Sequence, residues 1–259
     1  MESPVLRKGL GQHHLREPSL CRPLIDFLAP AGERTIEIGL GGGVLTVALL
    51  AAGARVTAWE LDPAWAFAAA SRLAGRPLAV VVGDALDLPW ERVPAPFKVA
   101  GNLPYNVATP LIDRLLDHGG RCVRAAFLVQ LEVAARLAAQ PGTKAYGALS
   151  VLTAARARVQ VLGRVRPGSF VPPPKVESAF VGLEPRADAP TAERFAALRE
   201  LVHAAFGQRR KTLRNALTAR WPRSQVAAAL AGAGLAPGVR AEELAGEDFD
   251  RLLNQLRSV

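Results

Sequence analysis

Only two cysteines, Cys21 and Cys122, occur in 259 residues, far apart and without CxxC spacing. That scarcity excludes a disulfide scaffold and offers no zinc motif, so two buried thiols and no bound metal are expected. The first 23 residues carry Arg7, Lys8, Arg16 and Arg22 but lack the apolar core of a secretory signal, so a cytoplasmic protein is expected. Long apolar runs are missing too. The longest, Val44 to Ala54, is interrupted by Thr46 and Gly53 and falls well short of the ~20 residues that span a membrane. No internal repeat and no long low-complexity tract are present, which sets aside a solenoid or an interaction tail. Acids are outnumbered, 23 against 32 Lys plus Arg, and the net charge of +9 suits a polyanionic partner without naming it.

What is present is the composition of a globular protein, 50% hydrophobic and 21% charged. Short apolar runs at Thr35–Ile38, Arg55–Trp59, Leu78–Val82, Phe97–Ala100 and Ala125–Val129 alternate with helical patterns at Val44–Ala52, Pro63–Leu73, Pro110–Leu116 and Leu131–Ala139. Such alternation predicts an α/β fold with a parallel sheet. Two later strand patterns, Ala157–Leu162 and Val176–Leu183, flank the Pro- and Gly-rich segment Arg166–Pro174 and are expected to close an edge of the sheet. A domain of residues 1–183 is therefore expected. After the linker Pro185–Pro190 the pattern turns helical through Glu193–Phe206, Thr212–Arg220, Arg223–Ala231 and Asp248–Leu256, which predicts a small helical domain of residues 184–259.

Three consecutive strand tips carry groups suited to a ligand. The first runs into Gly39-Leu40-Gly41-Gly42-Gly43, where small residues let the backbone approach a bound molecule. Its GxGxG order departs from the GxGxxG of dinucleotide sites. The second ends at Glu60, whose carboxylate can accept from both hydroxyls of a ribose. The third ends at Gly83-Asp84-Ala85, where Asp84 can accept from an adenine amine or cap the turn that follows. Open α/β sheets bind ligands beyond the carboxyl ends of their strands, so the three tips reinforce one another.

The fourth strand ends in Asn102-Leu103-Pro104-Tyr105, which closely resembles the Asn-Leu-Pro-Tyr motif of adenine-N6 methyltransferases. An amine conjugated to a purine is a poor nucleophile until its nitrogen becomes more tetrahedral. Acceptors aimed at its hydrogens favour that change, and Asn102 Oδ1 with the Leu103 carbonyl can supply them while Pro104 restricts the turn. Tyr105 offers a face on which an extruded base can stack. The glycine loop, Glu60, Asp84, Gly11-Gln12-His13-His14-Leu15, Phe170-Val171-Pro172-Pro173-Pro174-Lys175-Val176-Glu177-Ser178 and Ala205–Asn215 follow in the order of the ribosomal RNA adenine dimethyltransferases, and the chain resembles that family along almost its whole length.

The resemblance implies a Rossmann-like seven-stranded methyltransferase sheet, S-adenosylmethionine as cofactor, and dimethylation at N6 of two adjacent adenosines near the 3′ end of small-subunit (16S) rRNA in an immature ribosomal subunit. It places His13, Leu15, Gly39, Gly41, Glu60, Asp84, Ala85 and Asn102 against the cofactor. Tyr105 and Phe170 are placed around the target base. Two departures stand out, His13-His14 where the family usually has Asn-Phe and Leu40 where proline is common, the latter expected to loosen the loop. Leu201 to Arg223 contains Arg209, Arg210, Lys211, Arg214, Arg220 and Arg223 and no acid. Arg209, Arg210, Lys211 and Arg214 are expected to hold RNA phosphates, and Arg156, Arg158, Arg164, Arg166 and Lys175 form a second basic set that would carry RNA across the domain junction. A monomer is expected. Two other readings remain at this point: a large-subunit rRNA adenine methyltransferase of the macrolide-resistance type, and a noncatalytic RNA-binding assembly factor.

Overall fold

A computed structural model describes residues 4, 13–104, 107–118, 120–208 and 211–257. They form two compact units, Met1–Ala134 with Arg158–Ala187, and Ala135–Ala157 with Asp188–Val259. The division differs from a single cut after residue 183. Residues 135–157 belong with the C-terminal helices because Tyr146, Val151 and Leu152 are buried among Phe195, Leu201, Phe249 and Leu252.

In chain order the first unit opens with β1 (His14–Leu15) and α1 (Arg22–Leu28). Next come β2 (Arg34–Ile38), α2 (Val44–Ala51), β3 (Arg55–Glu60), α3 (Pro63–Arg72), β4 (Leu78–Val82), β5 (Phe97–Asn102), α4 (Ala108–Asp117), β6 (Cys122–Gln130) and α5 (Leu131–Leu137), the last three residues of which fall in the second unit. Helix α6 (Ala148–Arg156) precedes β7 (Ala157–Val165), β8 (Phe170–Val171) and β9 (Ser178–Pro185). Seven strands form one sheet in the order β4-β3-β2-β5-β6-β9-β7. The pairs from β4 to β6 are parallel, whereas β9 runs antiparallel to β6. The expected seven-stranded α/β sheet is therefore present, with β9 inserted inside β7 so that β7 forms the edge. Strand order reverses between β2 and β5, the point at which an open α/β sheet leaves a crevice at its carboxyl ends.

The centre of the sheet is buried on both faces, consistent with the largely apolar β5 and β6, whose Lys98 and Arg124 donate to the Ala29 and Phe27 carbonyls. On one side Leu24, Leu28, Leu45 and Leu49 from α1 and α2 pack with Ala58, Ala100, Leu128 and Phe180. Asp62 caps α3, its side chain accepting from Ala64 N at 3.0 Å, with Pro63 at the first helical position where no N–H is needed. The two-residue strands β1 and β8 pair antiparallel, His14 opposite Val171 and Leu15 opposite Phe170. That ladder ties the N-terminal segment to the proline loop.

The second unit contains α6, α7 (Ala192–Phe206), α8 (Leu213–Leu217), α9 (Arg223–Gly232) and α10 (Gly246–Arg257). Their apolar stripes meet in one core, into which Tyr146 also reaches to donate its hydroxyl to the Leu244 carbonyl at 2.7 Å. Helix α8 is shorter than the expected Thr212–Arg220: Thr212 serves as its cap, accepting from Asn215 N, and residues 218–220 form a turn in which Ala219 N and Arg220 N bond to the Ala216 and Leu217 carbonyls. Among the described residues no helix is long and apolar enough to cross a membrane.

Candidate active site

The carboxyl ends of β2 to β5 and the segment around β1 surround one cavity of about 160 Å³. His13, Leu15, Gly39, Gly41, Glu60, Asp84, Ala85 and Asn102 all line it, and so do Leu103 and Pro104. Its remaining wall includes Ile38, Trp59, Leu61 and Val107, an apolar surface with polar groups set into it.

The loop after β2 takes a shape that side chains oppose. Gly41 and Gly43 have φ of +46° and +74°, in the left-handed region. A Cβ on Gly41 would also lie 2.8 Å from His14 Nε2. The loop is held from several directions: Gly41 N donates to Glu60 Oε2 at 2.7 Å, Gly43 N to the Leu40 carbonyl at 2.8 Å, and Arg72 to the Gly42 carbonyl at 2.6 Å. The side chain of Leu40 is buried in the sheet core.

Glu60 is 6% exposed at the tip of β3. Its other carboxylate oxygen, Oε1, accepts from Asp62 N at 2.9 Å. Each oxygen so engaged retains a second lone pair, so the carboxylate is oriented by the backbone and can still accept from ribose hydroxyls. Asp84 stands at the tip of β4 and its Oδ1 accepts from Leu86 N at 2.8 Å, so it does cap the next turn while facing the cavity.

Asn102 ends β5. Its side-chain nitrogen donates to the His13 carbonyl at 2.8 Å, which turns Oδ1 to the opposite end of the amide plane. The turn into α4 closes on the Pro104 carbonyl, which accepts from Val107 and Ala108 at 3.1 and 3.2 Å. His13 Nδ1 in turn donates to the Pro172 carbonyl at 2.8 Å. His14 meets Trp65 edge to face, ring centroids 4.5 Å apart, and burial, with His13 beside it, lowers the pKa of its imidazole.

Beneath the loop, Glu37 is fully buried on β2. Burial pushes its carboxyl up to about 8, and the Glu60 carboxylate adds to the rise.

Several sequence expectations change. Phe170 does not face the cavity: its ring is 1% exposed and packs in the sheet core, because the pairing of β8 with β1 turns it inward beside Leu15. Arg156 is buried rather than presented to RNA, its guanidinium 3.6 Å from the centre of the Phe195 ring. Arg220 pairs with Glu200, an acid just outside the stretch counted as acid-free. Arg158, Arg164, Arg166, Lys175 and Lys211 are exposed and Arg214 is half-buried. Tyr105, Arg209 and Arg210 lie outside the described residues. The sequence reading gave no role to Arg72 or Trp65 and named His14 only as a departure from the family pattern.

The family model described as ribosomal RNA adenine dimethylase matches residues 5–258. A ribosomal RNA small subunit methyltransferase A from Methylococcus capsulatus is 43% identical over 256 residues, covering 97% of this chain and 98% of the relative. Its namesake from Rubrobacter xylanophilus is 41% identical over 256 residues, covering 98% and 96%. Among solved structures, a dimethyladenosine transferase from Plasmodium falciparum matches with a TM-score of 0.84 at 26% identity, covering 95% of this chain and 98% of that one. The 23S rRNA methyltransferase ErmE matches with a TM-score of 0.72 at 28% identity, covering 94% and 99%. With full-length matches on both counts, the chain belongs to the ribosomal RNA adenine dimethylase family.

Proposed function

We propose that this protein transfers methyl groups from S-adenosylmethionine to N6 of two adjacent adenosines near the 3′ end of 16S rRNA, acting in the cytoplasm as a monomer on an immature small subunit. The observation that carries the reading is the convergence of the glycine loop, Glu60, Asp84 and Asn102-Leu103-Pro104 on one cavity. The residues fit the cofactor: Glu60 is a buried acceptor at a strand tip, Asp84 faces the same space, and the glycine backbone leaves room for close approach. Glu60 would hold the ribose, Asp84 the adenine amine, and His13, Leu15, Gly39, Gly41 and Ala85 the rest of the molecule.

The cofactor supplies an electrophilic methyl on a sulfonium, which leaves as a neutral thioether. The protein has to make the adenine nitrogen nucleophilic. Asn102 Oδ1 and the Leu103 carbonyl accept from the two amine hydrogens and favour a tetrahedral nitrogen, and the proton lost on methylation passes to solvent. Fixed dipoles do this without reorganising at the moment of reaction. Arg209, Arg210, Lys211 and Arg214 would hold the RNA by its phosphates.

The small-subunit substrate is favoured over the large-subunit one because relatives at 41% and 43% identity carry the small-subunit name, against 28% for ErmE. The test is to incubate the protein with tritiated cofactor and, in parallel reactions, immature small subunits and large-subunit RNA, then map the modified nucleotides. Label on two adjacent adenosines near the 3′ end supports the proposal. Label confined to large-subunit RNA, or no label, overturns it.

A further inference from the structure

A loop built largely of glycines is costly to order, since glycine loses more backbone freedom than any other residue. It binds a ligand well only if something fixes it beforehand. Two of the fixing contacts come from the cavity side, where Glu60 takes the Gly41 N–H and the His14 ring lies against Gly41 and Gly42. The third comes from outside. Arg72, in the last turn of α3, is exposed, and its Nη2 donates to the Gly42 carbonyl at 2.6 Å across 30 residues of sequence. The same nitrogen lies 2.6 Å from where a Cβ on Gly43 would stand, so the guanidinium occupies the flank of the loop opened by the missing side chain. Helix α3 also carries Trp65, against which His14 rests. One helix thus braces both flanks of the loop.

We propose that Arg72 is a positioning residue for cofactor binding, anchoring the glycine loop through the Gly42 carbonyl and acting on the cofactor through that loop. The inference rests on the reading of the cavity as the S-adenosylmethionine site. Removal of the anchor leaves the loop free to sample other conformations, and the lost order must be restored when the cofactor binds. The consequence falls on affinity and not on the methyl-transfer step, because Asn102 and its partner His13 are held elsewhere.

The experiment measures S-adenosylhomocysteine affinity by calorimetry, with thermal melting and with kcat at saturating cofactor, for the full-length protein and for Arg72→Ala and Arg72→Lys. Arg72→Ala is expected to bind about fivefold more weakly, the scale of one charge-assisted hydrogen bond discounted for exposure. Its melting temperature and kcat should match the parent. Arg72→Lys, which keeps a charged donor on a long stem, should recover most of the affinity. If the parent itself does not bind S-adenosylhomocysteine, the cavity reading fails. If the parent binds and Arg72→Ala binds equally well, this inference alone is overturned. A loss of affinity that tracks a fall in melting temperature and is not recovered by lysine also overturns it, since that pattern marks a merely structural arginine.

Discussion

The side-chain amide of Asn102 is oriented by the backbone of residue 13, its Nδ2 donating to the His13 carbonyl at 2.8 Å. The bond uses no atom of the imidazole. A residue of any type at position 13 can offer the same carbonyl, so this contact does not depend on the side chain there. The imidazole has a separate task, binding the Pro172 carbonyl and so keeping the segment in place.

Replacing Asn102 by alanine is expected to slow methyl transfer by ~100-fold or more while RNA affinity changes little, because a preorganised acceptor matters most as the amine becomes tetrahedral. Asn102→Asp should rescue little, since a carboxylate cannot donate to the His13 carbonyl and would be repelled by it. Single-turnover kinetics separate chemistry from binding. Near-parental rates in either variant would refute the role given to this amide.

Glu37 should make the protein less stable as pH rises. Its folded pKa, about 8, lies above the ordinary 4.5, so stability is fully present below the unfolded value and is lost as pH climbs from one to the other. Over that window the unfolded chain has released a proton that the folded chain retains, a loss on the order of 1.4 kcal/mol per pH unit. Glu37→Gln removes the dependence. Urea titrations at several pH values should show the variant gaining on the parent from about pH 5 to about pH 8. A constant difference would mean that Glu37 is ionised throughout.

Phe170→Ala is expected to cost roughly 3–5 kcal/mol of stability, as for other large side chains removed from a core, and Phe170→Leu much less. Denaturation curves test this directly. A Phe170→Leu variant with parental stability but a raised KM for RNA would instead place the ring against the substrate base.

Changing Arg209, Arg210 and Lys211 together to glutamine should flatten the plot of log RNA affinity against log salt by roughly one unit for each phosphate no longer neutralised. Affinity for S-adenosylhomocysteine should stay at its parental value. Unaltered salt dependence would remove these three residues from the RNA path.

Much of the site was legible because chemistry and topology coincide at strand ends. Gly39, Glu60, Asp84 and Asn102 each follow an apolar run, and parallel strands bring such residues to one edge whatever the details of packing. The fate of Phe170 was not legible. A two-residue strand has no periodicity to read, and its partner Leu15 belongs to the far end of the sequence. Arg156 misled for a related reason: a basic residue reads as solvated until an aromatic face such as that of Phe195 is found above it. Arg72 was invisible because its bond is to a backbone carbonyl, which every residue possesses. The segment 135–157 reads as helical but nothing in its pattern says which core it joins, so only its burial with Phe195 and Phe249 reveals where it belongs.

The ladder between β1 and β8 also bears on the order in which the protein can be completed during synthesis. Strands β2 to β5 lie within the first 102 residues and can pair with one another as soon as they leave the ribosome. The segment around His13 cannot: Gly168, which accepts from Arg16, is translated 152 residues after it, and Pro172, which accepts from His13, 159 residues after it. Until they emerge, the His13 carbonyl has no anchor from which to orient Asn102. The strand tips are thus synthesised early, whereas what the β1–β8 ladder holds, His13 and Leu15 on the cofactor side and the carbonyl that orients Asn102 on the substrate side, is secured only after about two-thirds of the chain has been made, so that one late event completes both halves of the site.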